Sequence, residues 1–272
     1  MCIYDRITTF YDGVKTQKAV IGRSLFGRNL YAVKIGEGRP IGIAQYAIHG
    51  REFITAALAV EHYALGLKKG SCWFVLLVNP DGALLSECGL HTAPTKKRET
   101  LLKLNNGNAD FSLWKANGRG VDLNVNFDAK WGEGTKNVRC AGSENYIGES
   151  PFSEPESLAL KTFTLKIRPD YTVSYHTKGE EIYWHFFQPP TTLLRDKSLA
   201  ERLSKTTGYP IVEATGSVGG YKDWCIQTLG IPSFTVEVGA EEFTHPLREN
   251  ALPNIVEHNR YALYELSGEI KR

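Results

Sequence analysis

The sequence predicts an α/β fold built on a mixed or largely parallel sheet. Short apolar runs bounded by turn residues recur along the chain, and stretches with the apolar spacing of helices lie between them. A length of 272 residues with 42% hydrophobic and 23% charged residues is ordinary for a globular protein. We therefore expect one domain that covers residues 1–272.

The strand predictions come from apolar runs that are rich in β-branched and aromatic residues and end at turn signals. Continuous runs of this kind are typical of strands that are buried on both faces. They cover residues 30–35, 41–48, 73–78, 172–175 and 233–236.

The helix predictions come from apolar residues spaced three and four apart. Residues 53–67 form one such face, and Gly70 is expected to end that helix. A second helix is predicted over 154–167, where Ser153 and Glu156 have the spacing of a capping box and Pro155 suits the first turn. Further helices are expected at 197–206, 221–229 and 253–266, and turns at 79–82 and 188–190.

The stretch 82–127 has little regular pattern and is rich in Asn, Gly and Lys. Only residues 84–90 indicate a helix there. Loops of this length inside compact domains are usually functional or disordered. We expect this one to take part in function.

Charge and cysteine usage exclude several classes of protein. With 32 basic and 30 acidic residues the net charge is +2, which indicates neither a nucleic acid nor an anionic membrane as partner. No apolar run predicts a secretion signal or a membrane span. Five scattered cysteines without a CxxC pair predict reduced thiols and a cytoplasmic protein. The oligomeric state is left open.

His49 and Glu52 directly follow the predicted strand 41–48 and lie at the entry of the next helix. Open α/β sheets place their sites at the carboxyl ends of strands. Residues three apart are neighbours on a helical turn, so this imidazole and this carboxylate can reach one metal ion. The pair is a weak signal alone, because a His and a Glu at this spacing are more often surface neighbours.

A catalytic zinc ion usually takes three protein ligands and keeps one position open, and two His with one Glu are a known set. His176 is the candidate third ligand because it also follows a short β-rich run. Glu237 ends another run and is the candidate general base.

Five motifs occur in order between residues 49 and 239, and they read HGRE, RGVDLNVNF, PFSEPES, SYHTKGEEIYW and GGYKDWCIQTLGIPSFTVEVG. This order resembles the zinc metallocarboxypeptidase (carboxypeptidase A-like, funnelin) family. Two further segments, GRSLFGRNLYAVKIG and WKANGRGVDLN, look most like its bacterial branch of γ-D-glutamyl-diamino acid endopeptidases and murein peptide amidases. The resemblance implies a mixed, mainly parallel eight-stranded sheet flanked by helices, of the phosphorylase/hydrolase-like kind.

The resemblance also implies roles for particular residues. His49, Glu52 and His176 match the ligands of one Zn²⁺ ion, and Glu237 matches the general acid/base that activates the attacking water. Asp122 matches the aspartate that orients the first histidine. The substrate-binding positions of the family fall on Arg51 and Asn124.

Three positions depart from the family pattern. Val125 stands where an arginine binds a substrate's terminal carboxylate, Thr215 where a tyrosine caps the substrate, and Lys115 where an arginine stabilises the oxyanion. We expect Lys115 to keep the oxyanion role, and Arg119 or Lys178 to replace the missing carboxylate site. The resemblance thus predicts a peptidase for peptide or muropeptide substrates that cleaves the γ-D-glutamyl to diaminopimelate bond.

Two alternatives stay open: a general carboxypeptidase that removes C-terminal residues, and a metal-containing peptide-binding protein without catalysis. A serine hydrolase is not supported, because no GxSxG motif is present. The histidines outside the motifs are interpreted as surface or packed residues. They are His62, His91, His185, His245 and His258.

Overall fold

The computed structural model describes residues 1–213 and 216–270. Within them the strands form one sheet in the order β1-β2-β4-β3-β5-β8-β6-β7. The strands are β1 Lys18–Arg23, β2 Asn29–Gly36, β3 Ile41–Tyr46, β4 Ser71–Val75, β5 Tyr171–His176, β6 Glu181–Tyr183, β7 Ile211–Val212 and β8 Ser233–Glu237. The predicted mixed, mainly parallel eight-stranded sheet is confirmed.

The centre of the sheet is parallel and is joined to both borders by antiparallel pairs, while the outermost pair β6–β7 is parallel. Strands β4, β3, β5 and β8 run in parallel, β1 and β2 are antiparallel at one side, and β6 turns back along β8 at the other. β4 and β5 are buried at every residue. This burial explains why the central strands appear in the sequence as continuous apolar runs.

Helices flank both faces of the sheet, so that each face packs its own apolar cluster. The helices are α1 Ile3–Gly13, α2 Ile54–Leu65, α3 Pro80–Cys88, α4 Thr95–Leu104, α5 Pro155–Ile167, α6 Pro190–Thr207, α7 Tyr221–Trp224, α8 Leu252–Asn259 and α9 Ala262–Glu269. A π turn, Cys225–Leu229, continues α7. In the described part of the chain no helix is both long and apolar enough to cross a membrane.

Several local predictions are corrected. The predicted turn at 79–82 is the start of α3, where the Asn79 side chain accepts a hydrogen bond from the Gly82 amide at 2.9 Å. The capping box at α5 does not form, because the Ser153 hydroxyl donates to Glu154 instead. α2 ends at Leu65 and is capped by Gly66, four residues before Gly70, and the predicted helix 253–266 is divided into α8 and α9.

The long stretch 82–127 is more ordered than its sequence indicates. It contains most of α3, the whole of α4 and short 3-10 turns. Its apolar residues form a small separate cluster of Leu85, Ala93, Leu101, Phe111, Trp114 and Ala116. This cluster gives the stretch a hydrophobic core of its own, against which Phe26 from the β1–β2 turn also packs.

The cysteine prediction is wrong for one pair, since Cys2 and Cys88 form a disulfide that ties α1 to the end of α3. Spacing alone did not reveal it because the two residues are 86 positions apart. Cys72 and Cys225 are buried thiols, as expected for small apolar residues beside tryptophans.

Candidate metal centre and active-site cleft

Three adjacent parallel strands bring the predicted site residues together. β3, β5 and β8 are neighbours, and His49, His176 and Glu237 lie at or just beyond their carboxyl ends. His176 and Glu237 are directly paired in the β5–β8 register. The sheet topology therefore gathers residues that are far apart in sequence at one edge.

A tight turn, Gly50–Glu52, carries the HGRE motif into α2. A Cβ atom at Gly50 would lie 2.5 Å from the Gly82 carbonyl carbon and 2.7 Å from the Trp114 oxygen, so only glycine fits there. The Gly50 amide also donates to the Lys115 carbonyl at 2.9 Å. These contacts place Lys115, from the long stretch 82–127, beside the metal-binding turn.

The side chains of His49, Glu52 and His176 converge in a buried cluster. His49 Nδ1 lies 2.8 Å from Glu52 Oε1, His176 Nδ1 lies 3.0 Å from Glu52 Oε2, and the two Nδ1 atoms are 3.1 Å apart. Two imidazole nitrogens this close cannot both carry a proton toward each other. Atoms bound to one zinc ion at roughly 2.0–2.2 Å crowd together in this way, so the donor set fits such an ion.

The electrostatics of this cluster keep its carboxylate charged. Burial would raise the pKa of the Glu52 carboxyl, but the charges and hydrogen bonds of His49 and His176 outweigh it and hold that pKa well below its ordinary value. An ionised carboxylate is the protonation state that a metal ion requires of this ligand.

Asp122 lies behind His49, with its Oδ1 at 3.2 Å from His49 Nε2. Its other oxygen lies 3.1 Å from Lys115 Nζ and accepts the Asn145 amide at 3.1 Å. Burial opposes the charge of Asp122, yet Lys115 and His49 hold its pKa well below the usual range. A charged Asp122 orients the His49 ring so that Nδ1 faces the cluster.

Glu237 adjoins the cluster and lines the cavities on both sides of it. Burial raises the pKa of its carboxyl to about 7, with the Glu52 charge adding to this and the charges of His176 and Lys115 opposing it. Its place at the end of β8 keeps it next to His176, its partner in the β5–β8 register.

Two cavities meet at the cluster and share His49, Lys115, Glu181, Tyr183 and Glu237. The larger, which we call the first cavity, has a volume of about 520 Å³ and includes Asn124, Val125, Lys222 and Asp223 in its wall. The second cavity has a volume of about 340 Å³. Its remaining wall is formed by Arg51, Glu52, Thr177, Lys178, Glu241 and His245.

The predicted substrate-binding residues divide between these cavities. Lys115 borders both, Asn124 lies in the first, and Arg51 and Lys178 lie in the second. Among the described residues that line the two cavities, Arg119 is absent. Its guanidinium lies instead 3.4 Å from the buried Glu154. Thr215 lies outside the described residues.

Thr177 and His245 also line the second cavity, and neither was predicted to do so. Thr177 was not singled out in the sequence, and His245 was interpreted as a packed or surface histidine. Thr177 directly follows His176, the last residue of β5. This position next to a predicted metal ligand could have identified it as a site residue. His245 lies on the loop after β8, and no motif marked it. Burial lowers the pKa of the His245 imidazole to about 4, so the ring is neutral at pH 7.

Comparison with solved structures supports the fold. The chain matches bovine thrombin-activatable fibrinolysis inhibitor with a TM-score of 0.75 at 22% identity, covering 97% of this chain and 93% of that one. It matches murein-tripeptide amidase from Escherichia coli O157 with a TM-score of 0.63 at 24% identity, covering 96% of both chains. Fold and site together define an α/β protein with a metallopeptidase-type cleft.

The family follows from the sequence match. Residues 13–262 match the zinc carboxypeptidase model Peptidase_M14, and the chain belongs to that family of zinc metallopeptidases. It is 32% identical over 254 residues to gamma-D-glutamyl-L-diamino acid endopeptidase 1 of Lysinibacillus sphaericus, covering 86% of this chain and 63% of the relative. It is 29% identical over 220 residues to murein peptide amidase A of Escherichia coli K12, covering 75% and 74% respectively. The chain therefore spans less than two thirds of the length of the first of these relatives.

Proposed function

We propose that this protein is a zinc-dependent peptidase that hydrolyses the bond between a γ-D-glutamyl residue and a diamino acid in bacterial cell-wall peptides. The observation that carries this proposal is that a complete His-Glu-His cluster and Glu237 lie beside a cavity whose wall differs from the family pattern. In that wall Val125 replaces the family's carboxylate-binding arginine. The names of the endopeptidase and amidase relatives support the same substrate class.

His49, Glu52 and His176 would hold a single zinc ion. When bound, zinc supplies a Lewis acid that polarises the scissile carbonyl and lowers the pKa of water. Asp122 keeps the His49 ring in the ligating orientation through its contact with Nε2.

Glu237 accepts a proton from the attacking water and delivers it to the nitrogen of the leaving amine. It is suited to this because it adjoins the cluster and borders both cavities, so it faces the two halves of a bound peptide. Lys115 also borders both cavities, and its ammonium group stabilises the negative charge that develops on the carbonyl oxygen.

Two other functions are less well supported. A general carboxypeptidase needs a site for the substrate's terminal carboxylate, and Val125 offers no charge at that position. A binding protein without catalysis has no need of the carboxylate of Glu237 beside the metal ligands.

The decisive experiment combines zinc-loaded protein with wall tri- and tetrapeptides and with ordinary C-terminal peptides, and reads the products by mass spectrometry. We expect cleavage of the γ-D-glutamyl to diamino-acid bond. Release of C-terminal residues from ordinary peptides would favour the general carboxypeptidase, and no product from any peptide would favour the binding protein.

Glu237→Gln provides the first prediction. The variant should keep its zinc content and lose hydrolysis roughly 10²- to 10⁴-fold, because the amide cannot accept the water proton. Glu99→Gln, an exposed change on α4, is the matched control and should retain full rate. Undiminished hydrolysis by purified Glu237→Gln would remove Glu237 from this role.

The place of action is a separate part of the proposal. The sequence predicts a cytoplasmic enzyme, whereas the Cys2–Cys88 disulfide is a bond that persists mainly in oxidising compartments. Alkylation of thiols in freshly broken cells, followed by mass spectrometry of the Cys2 and Cys88 peptides, distinguishes the cytoplasm from an oxidising compartment. Peptides still joined by the disulfide would support the oxidising compartment. Alkylated cysteines would support the cytoplasm.

A further inference from the structure

The second cavity contains buried polar atoms that the metal centre does not use. Arg51 Nε, Thr177 Oγ1 and His245 Nδ1 are all shielded from solvent and have no hydrogen-bond partner among the described residues. Buried polar groups in folded proteins are nearly always paired. Three such atoms in the wall of one cavity indicate that a ligand supplies their partner.

These atoms are distinct from the metal ligands but lie at the same edge of the sheet. Arg51 is in the turn that carries Glu52, Thr177 follows His176 at the end of β5, and His245 is on the loop after Glu237. The cavity also shares His49, Lys115 and Glu237 with the first cavity. A group held here is therefore adjacent to the bond that is cut.

The wall of the second cavity carries both signs of charge, with Arg51, Lys115 and Lys178 as its cations and Glu52, Glu181, Glu237 and Glu241 as its acidic residues. Arg51 and Lys178 are cations with partly buried side chains, at 22% and 16% exposure. Their carboxylate neighbours are exposed, since Glu144 lies 3.7 Å from Arg51 with 47% exposure, and Glu241 lies 2.9 Å from Lys178 with 80% exposure. Such exposed pairs are weak and screened by solvent, so a bound anion competes with them readily.

The donor types suit an anion with oxygen acceptors, such as a carboxylate. A guanidinium N–H, a hydroxyl and an imidazole N–H each donate one hydrogen bond to an oxygen acceptor, and arginine is well suited to carboxylates. A γ-linked glutamyl residue has a free α-carboxylate, whereas an ordinary α-linked residue has none at that position. The wall therefore matches a feature that distinguishes the proposed substrate from common peptides.

We propose that Arg51, Thr177 and His245 bind the free α-carboxylate of the γ-linked D-glutamyl residue and so select the γ linkage. This inference rests on the proposed function, because it names the group that the second cavity recognises. His245 and Thr177 are specificity-determining residues in this account, and they take no part in proton transfer.

The test compares two wall peptides that differ only in this group. One carries the α-carboxylate of γ-linked D-glutamate, and the other carries the α-carboxamide of γ-linked D-isoglutamine. We expect the zinc-loaded protein to prefer the carboxylate roughly 10- to 100-fold in kcat/KM. His245→Ala and Thr177→Val should each reduce this ratio, with His245→Ala reducing it roughly tenfold.

Conservative variants distinguish recognition from a damaged fold. Thr177→Ser keeps a hydroxyl and His245→Gln keeps a donor, so both should recover part of the preference. His91→Ala, an exposed histidine remote from the cleft, is the control and should leave the ratio unchanged. A wild-type protein without preference, or a preference that both His245→Ala and Thr177→Val leave intact, would overturn the proposal.

Binding in the zinc-loaded Glu237→Gln protein, measured by calorimetry, separates this inference from the proposed function. Tighter binding of the carboxylate peptide that is lost when His245→Ala is added to Glu237→Gln supports the inference. This holds even if the wild type hydrolyses neither peptide, although that absence of hydrolysis would sink the proposed function. Hydrolysis of both peptides with equal binding would sink the inference and leave the proposed function in place.

Discussion

Two buried polar clusters adjoin the stretch 82–127, and their polar atoms find partners in different ways. The metal cluster of His49, Glu52 and His176 directs its atoms at one another. The carboxylate cluster of Asp81, Glu154 and Glu156 is instead surrounded by donors from the protein itself. Both are almost fully buried.

The carboxylate cluster is satisfied by its neighbours. Asp81 accepts from the Phe26 amide at 2.8 Å and pairs with Arg28 at 2.6 Å. Asn117 donates to Glu154 at 2.8 Å and to Glu156 at 3.2 Å. These bonds anchor the irregular stretch to α5 and to the β1–β2 turn. The difference shows that burial of charge alone does not mark a function. The carboxylate cluster receives its donors from the protein, whereas the atoms of the metal cluster are of ligand type and lie within 4.8 Å of one another.

The largest expected effect concerns the metal cluster. Glu52→Gln should abolish zinc binding and hydrolysis, because a neutral amide is a much poorer ligand and the site's charge is lost. Added zinc should raise the thermal midpoint of the wild type but not of the variant. Glu154→Gln, from the other cluster, is the control and should respond to zinc normally. Equal zinc responses in Glu52→Gln and the wild type would remove the distinction between the clusters.

The next effect concerns the stability of the carboxylate cluster. Arg28→Met should lower the free energy of unfolding by about 3–5 kcal/mol, because Asp81 would be left buried without its cation. Zinc content should be unchanged. Denaturant unfolding measures the change, and Arg23→Met, exposed on β1, is the matched control. A loss of zinc equal to that of Glu52→Gln would mean that the clusters are not independent.

The smallest effect is a dependence of stability on pH. Burial, aided by the charge of Asp81, raises the pKa of the Glu156 carboxyl from 4.5 to about 7. The folded state then holds this proton more tightly than the unfolded state, so the free energy of unfolding falls as pH rises from about 4.5 to about 7. The loss attributable to Glu156 is about 3 kcal/mol.

Glu156→Gln should therefore have a flatter profile of unfolding free energy between these pH values than the wild type. Denaturant unfolding at several pH values checks the slope rather than the absolute stability, which the substitution also changes through Asn117. Parallel profiles for the two proteins would contradict this account of the cluster.

Much of the fold could be predicted because local pattern and burial agree. The central strands are buried on both faces, so their apolar runs identify them without tertiary information. The short outer strands β6 and β7 and the polar helix α4 carry no such pattern and were missed. β6 depends on pairing with β8, β7 on pairing with β6, and α4 on the small cluster around Trp114.

The sequence by itself determined which residues end the central strands, and so it identified His49, Glu52, His176 and Glu237 as one candidate site. Only the tertiary structure decided what surrounds them. His245 and Thr177 face the cleft, Arg119 turns to Glu154, and Cys2 meets Cys88. The physical reason is that the end of a buried strand is encoded locally, where its apolar run meets turn residues, whereas the direction of a loop side chain depends on contacts that the chain makes only after it has folded.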